Sequence, residues 1–424
     1  MLGAGDSDEL VSAIEALAAE RKIRLPPIDP FPEQQAIYER YLLSMGLDPK
    51  DVDQIADLQR VPEQNRAMIR AALLQGILSM DKMADDELRT FLMLVRTSST
   101  EHRASSLLRI ISQPLLTICA DEIASSEMSI AIGVMPMRWF NGQSTPYSGS
   151  AMCLASMGSL DLIEIFCVLF MARLKDPQYA LVQMREAVEI YVNTGSVKPA
   201  EFELAQGLHD FSDYKGKNGV AVGMTTAAEQ FLVAHELGHV SLRHLSDATL
   251  GATPCRELLS EPSLLSRMPW RATAKKHTAI QVIQPSHSDE YCADQWAFHT
   301  MLRASTLPDE EGKEPLYCAG ATIFLGLAMI IESASRAKGI MIPDTHPSAL
   351  NRLYLIQLAT ELHGFHEEAY IARRVCEFIE EIGACYPDFA MPPILSRDLN
   401  QVALEVFRKM GYSLDGATYI TDFV

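Results

Sequence analysis

The spacing of apolar and polar residues predicts helices along most of this chain. In segments 33–124 and 151–192, apolar residues recur every three to four positions, as on the buried face of an amphipathic helix, with a break near Pro62. The same spacing predicts another helix over 366–382. We therefore expect a fold of the mainly α class.

A small amount of β structure is predicted between these helices. Residues 130–139 are rich in β-forming residues and lead into Asn141-Gly142, a dipeptide typical of turns. Residues 145–150 predict a loop, and the short run 220–224 predicts a strand directly before a helix. The fold class expected from these segments is mainly α (α+β) with a small sheet.

The longest apolar stretch, residues 316–331, predicts a core helix. It has 16 residues and is closed by Glu332, whereas a helix that spans a bilayer needs about 20. The N-terminus lacks the basic segment and apolar core of a signal peptide. We therefore expect no transmembrane segment and a cytoplasmic location.

Composition favours an intracellular protein. Of the 424 residues, 48% are hydrophobic, which is ample for a sizeable core. The eight cysteines include no C-x-x-C pair, and most lie in apolar runs, which predicts reduced buried thiols. The net charge of −19 argues against a nucleic-acid partner, because such binding relies on basic surfaces.

Residues 235–239 read His-Glu-Leu-Gly-His and carry the clearest chemical signal. Histidines four apart on a helix project from one face, close enough to bind one metal ion. Glu236 between them could take a proton from a metal-bound water. Apolar neighbours and a capping box at Thr226 and Glu229 predict a buried helix, and His244 is expected at its end, off the ligand face. The alternative is a polar patch on an amphipathic helix.

A zinc site with two histidines needs a third protein ligand and leaves a position for water. Glu290 and Asp294 lie four apart on a helix predicted over about 286–303, and the small Ala293 would let that helix pack closely. Glu290 is the candidate ligand, and Asp294 is the candidate acceptor for the N–H of a ligating histidine. Asp289 could compete for the ligand role. An acidic, solvated helix start is the simpler interpretation.

A further group includes His346 and Arg352. Pro347 predicts a helix start, which places His346 at a helix N-terminus, where the dipole disfavours the imidazolium form. A neutral imidazole there could donate to an oxyanion, or His346 could simply cap the helix. Arg352 could pair with Asp294, with Glu290 or with a substrate carboxylate, or it could be a surface charge.

Three motifs occur in a fixed order: His235-Glu236-Leu237-Gly238-His239 with His244, then Glu290 with Asp294, then Thr345-His346-Pro347 with Arg352. This order resembles the signatures of the HtpX and CAAX prenyl-endopeptidase family of gluzincin zinc metallopeptidases. The resemblance covers roughly residues 220–360, about a third of the chain. The better-known members are embedded in membranes, whereas this chain is expected to have no transmembrane segment. The resemblance therefore does not extend to their substrates.

The resemblance implies a zincin-like core with a bound zinc ion. In that arrangement Glu236 acts as the general base and acid. The zinc ligands would be His235, His239 and Glu290, and the supporting residues near the site would be Asp294, His346 and Arg352.

We therefore expect a zinc-dependent metalloendopeptidase that hydrolyses peptide bonds in protein or peptide substrates. His346, or one of Tyr291, Tyr317 and Tyr354, would stabilise the oxyanion. One alternative is a latent regulatory or host-defence protease, inhibited by its own N-terminal region or controlled by a regulatory protein. Another is a non-catalytic scaffold stabilised by zinc.

These assignments divide the chain into four predicted regions. Residues 1–32 combine a short helix with a proline-rich arm, which proline holds extended. Residues 33–215 form a mostly helical region with a short strand. The zincin catalytic core spans 216–363, and 364–424 form a helical C-terminal cap.

Overall fold

The computed structural model of the protein is mostly helical, with a small sheet. It describes residues 16–23, 31–49, 52, 85, 104–135, 140–195, 197, 217–245, 250–253, 280–283, 287–308, 310–340, 347–362 and 370–391. The predictions made for Pro62, for a helix start at residue 286 and for His346 lie outside these residues. Within them, the expectation of a mainly α protein with a small sheet is confirmed.

The helices are numbered here in chain order. Those before the metal-motif helix are α1 (Pro32–Ser44), α2 (Ala104–Ile111), α3 (Gln113–Ile118), α4 (Ala120–Ala124), α5 (Met157–Ala172) and α6 (Pro177–Thr194). The motif helix and those after it are α7 (Lys217–Ser241), α8 (His287–Ala304), α9 (Glu314–Ala337), α10 (Ala349–Leu362) and α11 (Tyr370–Gly383).

The larger sheet of the described residues contains β1 (Ser129–Met135), β2 (Gly142–Tyr147) and β3 (Ser150–Ser156). Its strand order is β1-β3-β2, with β1 parallel and β2 antiparallel to the central β3. Ser148 and Gly149 join β2 to β3, and both have positive φ, 50° and 80°. This is the conformation of a tight hairpin turn. A second antiparallel pair consists of β4 (Leu250–Thr253) and β5 (Ile280–Ile283).

The sequence predicted β1, but the predictions of a loop over 145–150 and of a helix from 151 were wrong, because β2 and β3 occupy these positions. Strand β3 is buried along its whole length, so its residues are apolar or small without the alternation of a half-exposed strand. Strand β2 lies at the edge of the sheet, where a proline such as Pro146 is tolerated.

Helix α7 begins at Lys217, so the strand predicted over 220–224 was wrong. The predicted capping box, Thr226 and Glu229, lies inside the helix. The β-branched residues of α7 are helical because the helix packs against α5, α8, α9 and the sheet. This tertiary packing outweighs the low intrinsic helix propensity of those residues. Close packing is visible at Gly320 of α9, where an added Cβ would lie 2.5 Å from the carbonyl carbon of Ala227.

Helix α9 contains the apolar run that was predicted to form a core helix, and it is buried along most of its length. It is the one helix of the described residues that is long and apolar enough to cross a membrane, but 78% of its most apolar 18-residue segment is buried inside the protein. The hydrophobic core is continuous from Tyr38 on α1 to Tyr386 after α11, with α9 packed directly behind α7.

Candidate metal centre

Two histidines on α7 turn their Nε2 atoms towards each other. His235 and His239 are one helical turn apart, and their Nε2 atoms are separated by 3.2 Å. They are 1% and 4% exposed. The helical spacing places both rings on one face, and the apolar surroundings of α7 bury that face.

Glu290 on α8 meets both histidines. Its Oε2 lies 3.3 Å from Nε2 of His235, and its Oε1 lies 3.3 Å from Nε2 of His239. One ligand atom from each of the three buried residues lies within 4.8 Å of the other two, so the group could hold a metal ion. Asp289, the alternative ligand, lies outside the group, with its carboxylate 3.8 Å from Nε2 of His244.

A close contact between α7 and α8 brings these three candidate ligands together. A Cβ at Gly238 would lie 3.1 Å from the Cα of Ala293, so the two backbones nearly touch. Ala293 and Ala297 are both completely buried. The prediction that small residues let the second helix approach the first is therefore confirmed.

Asp294 holds His235 by the ring nitrogen that does not face the group. Its Oδ1 lies 2.9 Å from Nδ1 of His235, which orients the ring and leaves Nε2 available to a metal. Burial alone would lower the pKa of His235, but Asp294 and Glu290 outweigh burial and raise that pKa to about 10. The acidic surroundings thus favour a positive charge at this position.

Arg352 on α10 pairs with Asp294 through two hydrogen bonds. Its Nε donates to Oδ2 at 2.6 Å and its Nη2 to Oδ1 at 2.7 Å, while its Nη1 lies 3.4 Å from Oε2 of Glu290. Burial tends to raise the pKa of Asp294, but the guanidinium outweighs burial and lowers it. Of the partners predicted for Arg352, the structure shows the two carboxylates.

Five buried residues from three helices thus form one connected cluster. No protein-family model, curated protein or solved structure matches this chain.

His244 was predicted at the end of the helix and off the ligand face; it follows Ser241, the last residue of α7, by three positions and contacts the second histidine. Its Nδ1 lies 3.0 Å from Nδ1 of His239. Arg243 has a φ of 61°, and the His244 amide donates to the His239 carbonyl at 2.9 Å, which is the Schellman ending of a helix. This ending folds the chain back and brings His244 against His239. Burial lowers the pKa of His244.

Glu236 faces strand β2, a contact that the sequence did not predict. Ser144 Oγ donates to Glu236 Oε2 and lies 3.0 Å from the Glu236 carbonyl oxygen. Gly142 on the same strand lies against the other carboxylate oxygen. Ser144 lies between the turn predicted at Asn141-Gly142 and the loop predicted over 145–150, and no local pattern connects it with a residue 92 positions later.

The candidates for stabilising an oxyanion differ in their surroundings. The Tyr317 hydroxyl donates to Oε2 of Glu310 at 2.6 Å, so its proton is engaged elsewhere. Tyr291 is buried, which raises its pKa, and its hydroxyl interacts with Asn351 on α10. Tyr354 is buried on α10, at 3% exposure.

Proposed function

We propose that this protein is a zinc-dependent metalloendopeptidase of the gluzincin type. The observation that carries the proposal is the buried convergence of His235, His239 and Glu290, with Glu236 between the two histidines on the same helix. Two buried imidazoles and a carboxylate, with a glutamate directly after the first histidine in the sequence, are the residue set of zinc peptidases.

The donor set supports zinc as the metal. Two imidazole nitrogens and one carboxylate oxygen match catalytic zinc sites, in which three protein ligands leave a fourth position open. Asp294 behind His235 supplies the carboxylate–histidine contact that orients such ligands. When bound, zinc would lower the pKa of a water molecule and polarise the scissile carbonyl.

The proposal gives each residue near the centre a separate task. Glu236 accepts the proton of the attacking water and later delivers it to the leaving amine. Asp294 and Arg352 hold His235 in place, and Arg352 balances the negative charge of Glu290. His346, Tyr291 or Tyr354 would donate to the developing oxyanion.

The same proposal extends to the fold and the location. Helices α7 and α8 with the sheet beside them would form a zincin-like core. The burial of α9 is compatible with a cytoplasmic protein, whose substrates would be proteins or peptides.

The test combines metal analysis with a cleavage assay. Wild type and Glu236→Gln should each bind about one zinc per chain, and only wild type should cleave casein. Glu229→Gln is the matched control, because Glu229 is another buried glutamate on α7; it should cleave normally. Cleavage by Glu236→Gln, or a wild type that binds no zinc, would overturn the proposal. Bound zinc without cleavage by any variant would indicate a latent protease or a non-catalytic scaffold.

A further inference from the structure

Strand β2 contacts the carboxylate of Glu236 on two sides. Gly142 and Ser144 are two positions apart, so they face the same side of the sheet, towards α7. In the register of the sheet, Ser144 pairs with Cys153 of β3, which is buried on that side near Glu236. The contact with Glu236 therefore depends on sheet register and helix packing.

Ser144 holds one oxygen of the carboxylate. Its side chain is buried, and its hydroxyl donates to Oε2 of Glu236. A hydrogen bond to a charged acceptor is stronger than one between neutral groups. A buried hydrogen bond is electrostatically stronger than one in water, so it favours one orientation of the carboxylate.

Gly142 provides the space on the other side. A Cβ built at Gly142 would lie 2.4 Å from Oε1 and 2.8 Å from Cγ of Glu236. Any larger residue would force the carboxylate to move. The strand therefore holds Oε2 through Ser144 and permits the position of Oε1 through Gly142.

We propose that Ser144 is a positioning residue for Glu236. Its hydroxyl holds the carboxylate in the orientation from which Glu236 would exchange a proton with the attacking water. This inference rests on the proposed function. A general base must lie within hydrogen-bond reach of the proton that it accepts. A small displacement of the carboxylate lowers the reaction rate strongly. The fixed position of the carboxylate therefore matters more for turnover than for substrate binding.

A purely structural role of Ser144 would have different effects on stability and turnover. If the hydroxyl only tied β2 to α7, its loss would lower stability and leave the turnover of the folded protein unchanged. A positioning role predicts a loss in kcat with little change in KM. The two roles can therefore be separated by steady-state kinetics on folded protein.

The kinetic experiment uses a casein-derived peptide that the wild type cleaves. Ser144→Ala should lower kcat about tenfold or more at unchanged KM and zinc content, because one hydrogen bond to a charged group is lost. Ser144→Thr keeps the hydroxyl and should restore most of kcat. Gln143→Ala is the control, because its side chain lies on the opposite face of β2; it should match wild type. An unchanged kcat in Ser144→Ala overturns the inference, and so does a raised one, which would show that Ser144 restrains Glu236.

A second measurement does not depend on activity. Urea unfolding of zinc-free wild type, Ser144→Ala, Glu236→Ala and the double variant forms a cycle for this pair. Coupled, non-additive effects are expected, and additive effects would overturn the contact on which the inference rests. Coupling together with a wild type that cleaves nothing would mean that the proposed function fails, and the catalytic role of Ser144 with it, while the contact stands.

Discussion

The guanidinium of Arg352 pairs with both carboxylate oxygens of Asp294, at 2.6 and 2.7 Å, where each residue is at most 4% exposed. This pair connects α10 to the ligand helix α8. It also lies directly behind His235, whose Nδ1 is 2.9 Å from Asp294. The pair therefore supports both the fold and the orientation of a candidate ligand.

Removing the guanidinium should destabilise the protein strongly. Arg352→Ala leaves the Asp294 carboxylate buried without its main partner, which typically costs about 3–5 kcal/mol. The urea midpoint of the purified protein measures the loss. Arg374→Ala is the control, because Arg374 is 66% exposed in its pair with Glu377 and such pairs contribute about 0–1 kcal/mol. Equal shifts for the two variants would contradict this account of the buried pair.

The carboxylate behind His235 should affect metal affinity. Asp294→Asn should weaken zinc binding roughly 10- to 100-fold, because a neutral amide orients and polarises the imidazole less well. Competition with a chromophoric chelator measures the change. Asp289→Asn should bind zinc like wild type, since Asp289 is 32% exposed and lies outside the ligand group. A larger loss of zinc affinity in Asp289→Asn than in Asp294→Asn would show that Asp289 is the third ligand.

Metal removal should lower the melting temperature. A bound ion would bridge three side-chain atoms that lie within 4.8 Å of one another. Any molecule or ion that binds only the folded state stabilises that state. A chelator should therefore lower the melting temperature of the zinc-loaded wild type, and added zinc should restore it. His239→Ala lacks one ligand, and its melting temperature should not respond to either reagent. A full response in that variant would exclude His239 from the site.

Close packing between α7 and α9 should make Gly320 sensitive to substitution. Gly320→Ala places a Cβ 2.5 Å from a backbone carbon of α7, and overpacking of this kind costs about 1–3 kcal/mol. Gly238→Ala, with its nearest atom at 3.1 Å, should cost less. Thermal unfolding of both variants ranks them, and the reverse order would show that the α7–α8 contact is the tighter one.

The buried thiols should react only at high pH or after unfolding. Burial raises the pKa of Cys119 and of Cys167 to about 12, and that of Cys376 to about 11. The thiolate is the reactive form, so a raised pKa lowers reactivity at pH 8 and restores it only as pH rises. Timed alkylation with peptide mapping should label the exposed Cys385 before Cys119, Cys167 and Cys376. Rapid native labelling of Cys119 would contradict its burial.

The parts of the site that follow helical periodicity could be predicted from the sequence. His235 and His239 are four apart on an apolar helix, and Glu290 and Asp294 repeat that spacing, so local geometry alone places each pair on one face. The meeting of the two helices was indicated by the small residues beside them. Which residue pairs with Arg352 was left open, because the choice depends on how three helices pack.

The contacts that the sequence did not predict depend on structure far along the chain. Ser144 reaches Glu236 only because β2 pairs with β3 and the sheet packs on α7, and β3 itself has no alternating pattern. His244 reaches His239 because Arg243 adopts a left-handed conformation. Glycine is the usual residue in that conformation, so an arginine in the sequence does not predict it. The role of His346 stays a prediction.

The near-contact of Gly238 with Ala293 has a consequence for how this site can vary. Two of the ligands come from one helix and the third from another, and a direct backbone contact sets the distance between those helices. The distance between the candidate ligands on the two helices is therefore set by contact across space and not by closeness in the sequence, and a single methyl group at position 238 bears on it directly.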